Sequence, residues 1–292
     1  VSATVLDAVD VTKLSPTQIR GLTTTAIGEM TETQVSTLTS TEIGLLSTSQ
    51  LGALTSTEVQ AFTTTQISAL TTRQLSGLTT TALGEFSSDQ INAFATTQVQ
   101  SLTTTQLNAL STDLLNGLDV TKATTTQVTG LTTTAIGQLT GDQVGAFSTA
   151  QIAGLSTAQI GTLTSNEIQA FTSTQTGAFT AAQLGGLTTT ALGLFSSDQI
   201  NAFSTTQVRS LTTTQLNALS TDLLDALDVT KATTTQISGL TTTAIGQLTG
   251  DQVGAFVTSL IANLTTGQIG ALSSDEIQAF TSTQAGAFTA AQ

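Results

Sequence analysis

Leu54-Thr55-Ser56-Thr57-Glu58-Val59-Gln60-Ala61 is one beat of a pattern that fills the chain, and its reading decides the fold. The beat has eight positions: Leu or Phe, three Ser/Thr, Gln or Glu, Ile/Val/Leu, any residue, then Ala or Gly. Leu22, Met30, Leu38, Leu46, Leu54, Phe62, Leu70, Leu78, Phe86, Phe94, Leu102, Leu110 and Leu118 hold its first position. Ile27, Val35, Ile43, Leu51, Val59, Ile67, Leu75, Leu83, Ile91, Val99, Leu107 and Leu115 hold its sixth.

A β-solenoid is one reading of so short a beat, because Thr, Val and Ile favour strands. The apolar positions do not alternate, however, and Gln and Ala fit a strand poorly. The helical reading accounts for more of the residues. Thr55 as N-cap and Glu58 three residues on make a capping box, and Leu54 and Val59 stand where a hydrophobic staple would hold the entry angle of the chain. Glu32, Glu42, Glu58, Asp89, Asp113, Asp142, Glu167, Asp198, Asp222, Asp251, Asp275 and Glu276 all lie at positions three to five, the first helical turn, where the helix dipole favours negative charge. Pro16, the sole proline, falls on the first helical position, which needs no N–H.

Each octad therefore predicts a helix of about six residues, ~9 Å long, followed by a sharp bend. One octad buries too little apolar surface to offset the entropy of ordering it, so octads must lean on one another. The expected fold is all-α: a repeat solenoid of very short helices, one per octapeptide, with positions one and six inward and the Ser/Thr positions outward. Ala or Gly at position eight would permit close contact at the bend.

A longer period overlies the short one. Asp10-Val11-Thr12-Lys13 returns as Asp119-Val120-Thr121-Lys122 and as Asp228-Val229-Thr230-Lys231, each 109 residues after the last. Thirteen octads and one five-residue segment fill each period. Residues 1–292 read as a single continuous array: 1–9 as the end of a copy, 10–118 and 119–227 as full copies, and 228–292 as a partial one. Asp10, Lys13, Asp119, Lys122, Asp228 and Lys231 are the positions singled out as candidate sites. They read either as docking points for neighbouring chains or as a phase-correcting loop closed by a local Asp–Lys pair.

Octads such as Leu102-Thr103-Thr104-Thr105-Gln106-Leu107-Asn108-Ala109 resemble the Thr/Gln-rich octapeptide arrays of large repetitive bacterial surface or secreted proteins, often labelled adhesin-like. The resemblance implies an extracellular or cell-surface structural role and brings no functional residue with it. The Gly-Gly-x-Gly-x-Asp calcium nonapeptides of many secreted repeat proteins are absent from the sequence.

Composition narrows the function classes. The 292 residues include no His, Cys, Trp or Tyr, one Pro and one Met, and only 9% are charged. Thiolate nucleophiles, histidine bases, disulfides and cysteine- or histidine-bound metals are excluded. The net charge of −13 offers no field for a phosphate backbone, so nucleic acid is not an expected partner. No apolar run is long enough to span a bilayer as a helix. The chain starts at Val1 without a leader and reads as a processed product or a piece of something longer. Ser88 and Asp89 read as capping residues, Asp275 and Glu276 as a solvated first turn, and the Phe residues as core. Asn263-Leu264-Thr265 matches a glycosylation sequon.

The expectation is a structural protein rather than an enzyme, with no cofactor and no metal. It would form or extend an extracellular fibre, filament or stalk through head-to-tail association with itself, with cations screening its acidic surfaces. A partner-binding solenoid or adhesin is the alternative, and ice binding by ranked Thr hydroxyls a third.

Overall fold

The computed structural model describes residues 10–292, and it divides into two compact units, Val1–Ala146 and Phe147–Gln292. Both are built from short helices, and no strand occurs among the described residues. Each unit is an all-α repeat solenoid.

The helices run four to six residues. The six-residue expectation holds for helices such as Thr64–Ala69 and Thr96–Ser101, while Thr24–Ile27 and Thr48–Leu51 stop after four. Most of the shorter ones end where glycine stands at position seven, as Gly28 and Gly52 do, although Thr258–Ile261 ends on Ala262 and Ser40–Leu45 runs on through Gly44. Glycine is a poor helix former, and here it takes the C-cap.

Entry to most of the helices follows the capping logic, Thr258–Ile261, headed by Val257, being an exception. Thr63 Oγ1 accepts from the Gln66 amide at 3.3 Å, and Gln66 Oε1 accepts from the Thr63 amide at 2.8 Å. Ala95 has no hydroxyl, so its octad keeps only the Gln98 half of that exchange, at 2.8 Å. The bend between helices needs no left-handed residue: no described residue has positive φ. Two extended residues suffice, as at Leu22 (φ −63°, ψ 137°) and Thr23 (φ −72°, ψ 159°). Those are conformations open to any side chain, which is why positions one and two need no glycine.

Positions one and six form the core. Ile43 and Ile67 are fully buried, as are Phe94 and Phe203. The rings also meet edge to face, with centroids 5.8 Å apart for Phe86 and Phe94 in the first unit. In the second unit Phe171, Phe179, Phe195 and Phe203 form a run with spacings of 5.5, 5.5 and 5.6 Å. Such geometry adds to plain area burial because ring edges are positive and faces negative.

Packing runs between every third helix. Ser40–Leu45 lies on Pro16–Gly21 and on Thr64–Ala69, and in the second unit Ala181–Gly186 lies on Thr205–Ser210. Coils approach closely enough that a Cβ on Gly28 would sit 2.6 Å from the Ala53 carbonyl oxygen, and one on Gly117 would sit 2.6 Å from that of Ser88. Close contact thus occurs at position seven as well as at the expected position eight.

Candidate functional site

The feature that joins one coil to the next is a ladder built on position five. Gln at this position carries an acceptor and two donors on one planar group. Its Oε1 caps its own helix, which aims its Nε2 at the preceding coil. Gln66 Nε2 donates to the carbonyls of Val35 and Leu38 at 2.9 and 2.8 Å, and Gln98 Nε2 to those of Ile67 and Leu70, both at 2.8 Å. The acceptors are carbonyls at helix ends; those of Val35 and Ile67 also accept from the C-cap amides of Leu38 and Leu70, at 3.2 Å each. One side chain thus satisfies the start of one helix and the end of another.

The reach is regular. Gln50, Gln66, Gln74, Gln90, Gln98 and Gln106 in the first unit each donate to carbonyls 31 and 28 residues earlier. Gln183, Gln199, Gln207 and Gln215 do the same in the second. Since 28 residues are three and a half octads, each coil takes between three and four units. These glutamines are nearly inaccessible, with Gln66, Gln98 and Gln215 each 3% exposed.

Sequence reasoning placed Gln at the cap and missed this second role. A signal was present: a capping box accepts Glu as readily as Gln, and Glu suits the helix dipole better, yet Gln dominates position five. Only the carboxamide has a donor to send backwards.

The Asp-Val-Thr-Lys segments are shortened units of the same ladder. Val11–Lys13, Val120–Lys122 and Val229–Lys231 are single 3-10 turns, and Val11, Val120 and Val229 are buried. Asp119 takes the cap: its Oδ1 accepts from the Thr121 amide at 3.1 Å and from the Thr121 hydroxyl at 2.6 Å. Lys122 then takes the place of Gln. Its Nζ donates to the Phe94 carbonyl, 28 residues back, at 2.9 Å and to that of Asn92 at 3.3 Å, and lies 3.5 Å from Asp119 Oδ2. Lys231 repeats this with the Phe203 carbonyl at 2.8 Å and Asp228 Oδ2 at 3.4 Å. Asp10 makes the same cap with Thr12, at 3.1 and 2.5 Å, while the residue 28 positions before Lys13 falls outside this sequence.

Glutamines whose coil contains a short unit confirm the count. Gln127 and Gln143 reach back 28 and 25 residues, as do Gln236 and Gln252. The offset shrinks by three, the difference between eight and five. A short segment therefore occupies one whole place in its coil.

The carboxyls of Asp10, Asp119 and Asp228 are held below the usual carboxylate range. The main cause is the hydrogen bond from the hydroxyl of Thr12, Thr121 or Thr230, opposed by partial desolvation. The amide of the same Thr and the charge of Lys13, Lys122 or Lys231 add to the lowering.

The sequence model of the ALTTAQ repeat family matches residues 69–104, 142–173 and 195–229, together a little over a third of the chain. This is a repeat protein. Ala69-Leu70-Thr71-Thr72-Arg73-Gln74, within the first match, runs from position eight through position five of the octad. The repeat unit named by that family thus contains the core residue, the cap and the ladder residue in order. No curated protein matches the chain. Among the described residues no helix is long and apolar enough to cross a membrane.

Proposed function

We propose that this repeat protein is a structural element, a segment of an extracellular fibre, filament or stalk that lengthens by adding coils and associates head to tail with further copies. One observation carries the reading. Every ladder coil is polar, offering Gln Nε2 donors to the coil before it and helix-terminal carbonyls to the coil after it. Faces that differ in this way make heterologous contacts, which extend rather than close. The acceptors belong to the main chain, so a coil from another copy offers the same surface as a coil of the same chain.

Composition supports a durable extracellular setting. The chain has no Cys or His, one Met and six Lys and Arg, which leaves few oxidation-sensitive groups and few sites for trypsin-like cleavage. The surface carries few singular features on which catalysis could be built, and a non-catalytic role is part of the proposal. The net charge of −13 opposes lateral approach unless salt screens it.

Negative-stain electron microscopy and sedimentation across a concentration series test the reading. Concentration-dependent elongated particles that lengthen with added salt are the expected result. Short, monodisperse particles at all concentrations would overturn head-to-tail association.

A further inference from the structure

The helix Thr258–Ile261 is entered without a cap and without a ladder residue. Val257 stands where other octads place Ser or Thr, and Leu260 stands where most place Gln. The octad 109 residues earlier shows what is missing: Ser148 Oγ accepts from the Gln151 amide at 3.2 Å, and Gln151 Oε1 accepts from the Ser148 amide at 2.7 Å. In the later octad the Leu260 amide turns instead to the Val257 carbonyl, at 2.9 Å. Octads with Ala or Leu at position five keep a hydroxyl cap, as Thr241 does for the Ala244 amide at 3.2 Å and Ser220 for the Leu223 amide at 3.4 Å. Among the described helices only Thr258–Ile261 lacks both devices.

Leu260 lies over the last short segment. With Val229, Ala232 and Val257 it lines a cavity of about 70 Å³. The carbonyls of Val229 and Ala232 stand 31 and 28 residues before Leu260, the offsets at which Gln207 and Gln215 grip the chain behind them. Leucine has no polar hydrogen to give them. Asn263 Nδ2 donates to the Ser259 carbonyl at 2.7 Å, inside its own octad, and so adds no link between coils.

The seams on either side are held. Gln252 Nε2 donates to the carbonyls of Leu224 and Leu227, both at 2.8 Å, and Gln268 Nε2 to those of Ser238 and Leu240 at 3.0 and 2.8 Å. Toward the following coil Thr258–Ile261 is gripped as well, because Gln292 Nε2 donates to the Ile261 carbonyl at 2.9 Å. The weakness is confined to one side of one helix. Apolar packing replaces hydrogen bonds there, and it is incomplete, since a void remains and Val257 is 61% exposed. A seam with a void and few linking bonds has less to lose on opening than its neighbours.

We infer that the seam between the Val229–Lys231 turn and Thr258–Ile261 is a built-in opening point, where the second unit parts locally while the Gln-held seams beside it stay shut. Parting uncovers Val229 and Leu260, each 5% exposed when the seam is closed, so the device is a reversible gap with apolar walls. In a fibre or stalk it is the place where a pulled segment yields first. The inference rests on the seam itself and not on the fibre reading.

Hydrogen exchange of the full chain, followed by mass spectrometry, tests it. A helix of four residues does not hold its own hydrogen bonds once its packing is lost, so exchange reports the opening. The Ile261 and Leu264 amides are hydrogen-bonded at 3.2 and 3.1 Å, and those of Val253 and Phe256 at 3.0 and 3.1 Å. Segment 258–264 is nevertheless expected to exchange at least about tenfold faster than segment 250–256. The double variant Val257→Ser with Leu260→Gln restores the pair found at Ser148 and Gln151, so it folds. It is expected to slow segment 258–264 to the rate of segment 250–256 and to leave the helix Thr189–Leu192 unchanged. Equal exchange of the two segments in the parent, or no slowing in the double variant, would overturn the inference. So would equal slowing at Thr189–Leu192, which marks global stabilisation, or a smooth rise of exchange toward residue 292 in both proteins, which marks fraying from the end. Head-to-tail association is read separately by sedimentation and is untouched by any of these outcomes.

Discussion

Replacing Gln98 by leucine isolates the ladder. Gln98 is 3% exposed and makes three hydrogen bonds through its side chain, one from the Ala95 amide and two to the carbonyls of Ile67 and Leu70, all at 2.8 Å. Leucine is near enough in volume to leave the packing of Val99 and Leu102 in place, so the loss is chiefly polar. Three net hydrogen bonds at roughly 1 kcal/mol each, with the Leu70 carbonyl left in a poorly hydrated place while that of Ile67 keeps the Leu70 amide, set a cost of about 3–5 kcal/mol. The added apolar burial returns about 1 kcal/mol. The net expectation is destabilisation of about 2–4 kcal/mol. Urea unfolding followed by far-ultraviolet circular dichroism is the assay, because the chain has no Trp or Tyr to report by fluorescence. Gln100→Leu is the control: the same residue type two positions on, exposed, with an expected change within about 0.5 kcal/mol. A Gln98→Leu effect no larger than the control's would show that water serves these carbonyls as well as the carboxamide does, and the ladder would not be what binds coil to coil.

Thr176 occupies a position-six core slot, is fully buried, and its hydroxyl has no hydrogen-bond partner. Thr176→Val is expected to stabilise the second unit by about 1–2 kcal/mol, read in the same urea experiment, because valine keeps the shape and removes an unpaired polar atom. Lys122→Met keeps the aliphatic stem and removes the ammonium from the Phe94 and Asn92 carbonyls. A loss of about 1–2 kcal/mol is expected, and no loss would mean that the short unit is held by Val120 packing alone. The lowered carboxyl of Asp119 contributes stability that is present above its ordinary value of 3.8 and is lost as pH falls through the still lower folded value. Asp119→Asn should therefore flatten the acid limb of a stability-against-pH curve below about pH 4, and an unchanged limb would place the acid sensitivity elsewhere.

The local parts of this fold are written in each octad. Thr63, Gln66 and Ile67 lie within five residues of one another, and cap, box and core position follow from chemistry that acts over that distance. The same holds for Pro16 at the head of its helix and for the acidic first turns. The ladder is different in kind. Nothing within an octad specifies what stands 28 residues earlier, so the destination of Gln66 Nε2 depends on how many units make a coil. That number comes from bend geometry summed over several units rather than from any one motif. The Asp-Val-Thr-Lys segment was open between two readings for the same reason: its length marks it as irregular, but only the distance from Lys122 to the Phe94 carbonyl shows it standing in for an octad. Glu58 reads in sequence as an ordinary capping residue, and that is the role its Oε2 takes.

The ladder recognises peptide groups and is blind to the side chains that decorate them. Any octad that forms its helix can follow any other, because what the newcomer must grip is a carbonyl that every residue carries. A gene encoding such a chain can gain or lose whole units through unequal recombination and still specify a product whose coils hold. Length becomes the freely varied character, and within a unit the drift is confined to exposed positions, since the core, cap and position-five residues and close-approach glycines such as Gly28 and Gly117 are held by the coils around them.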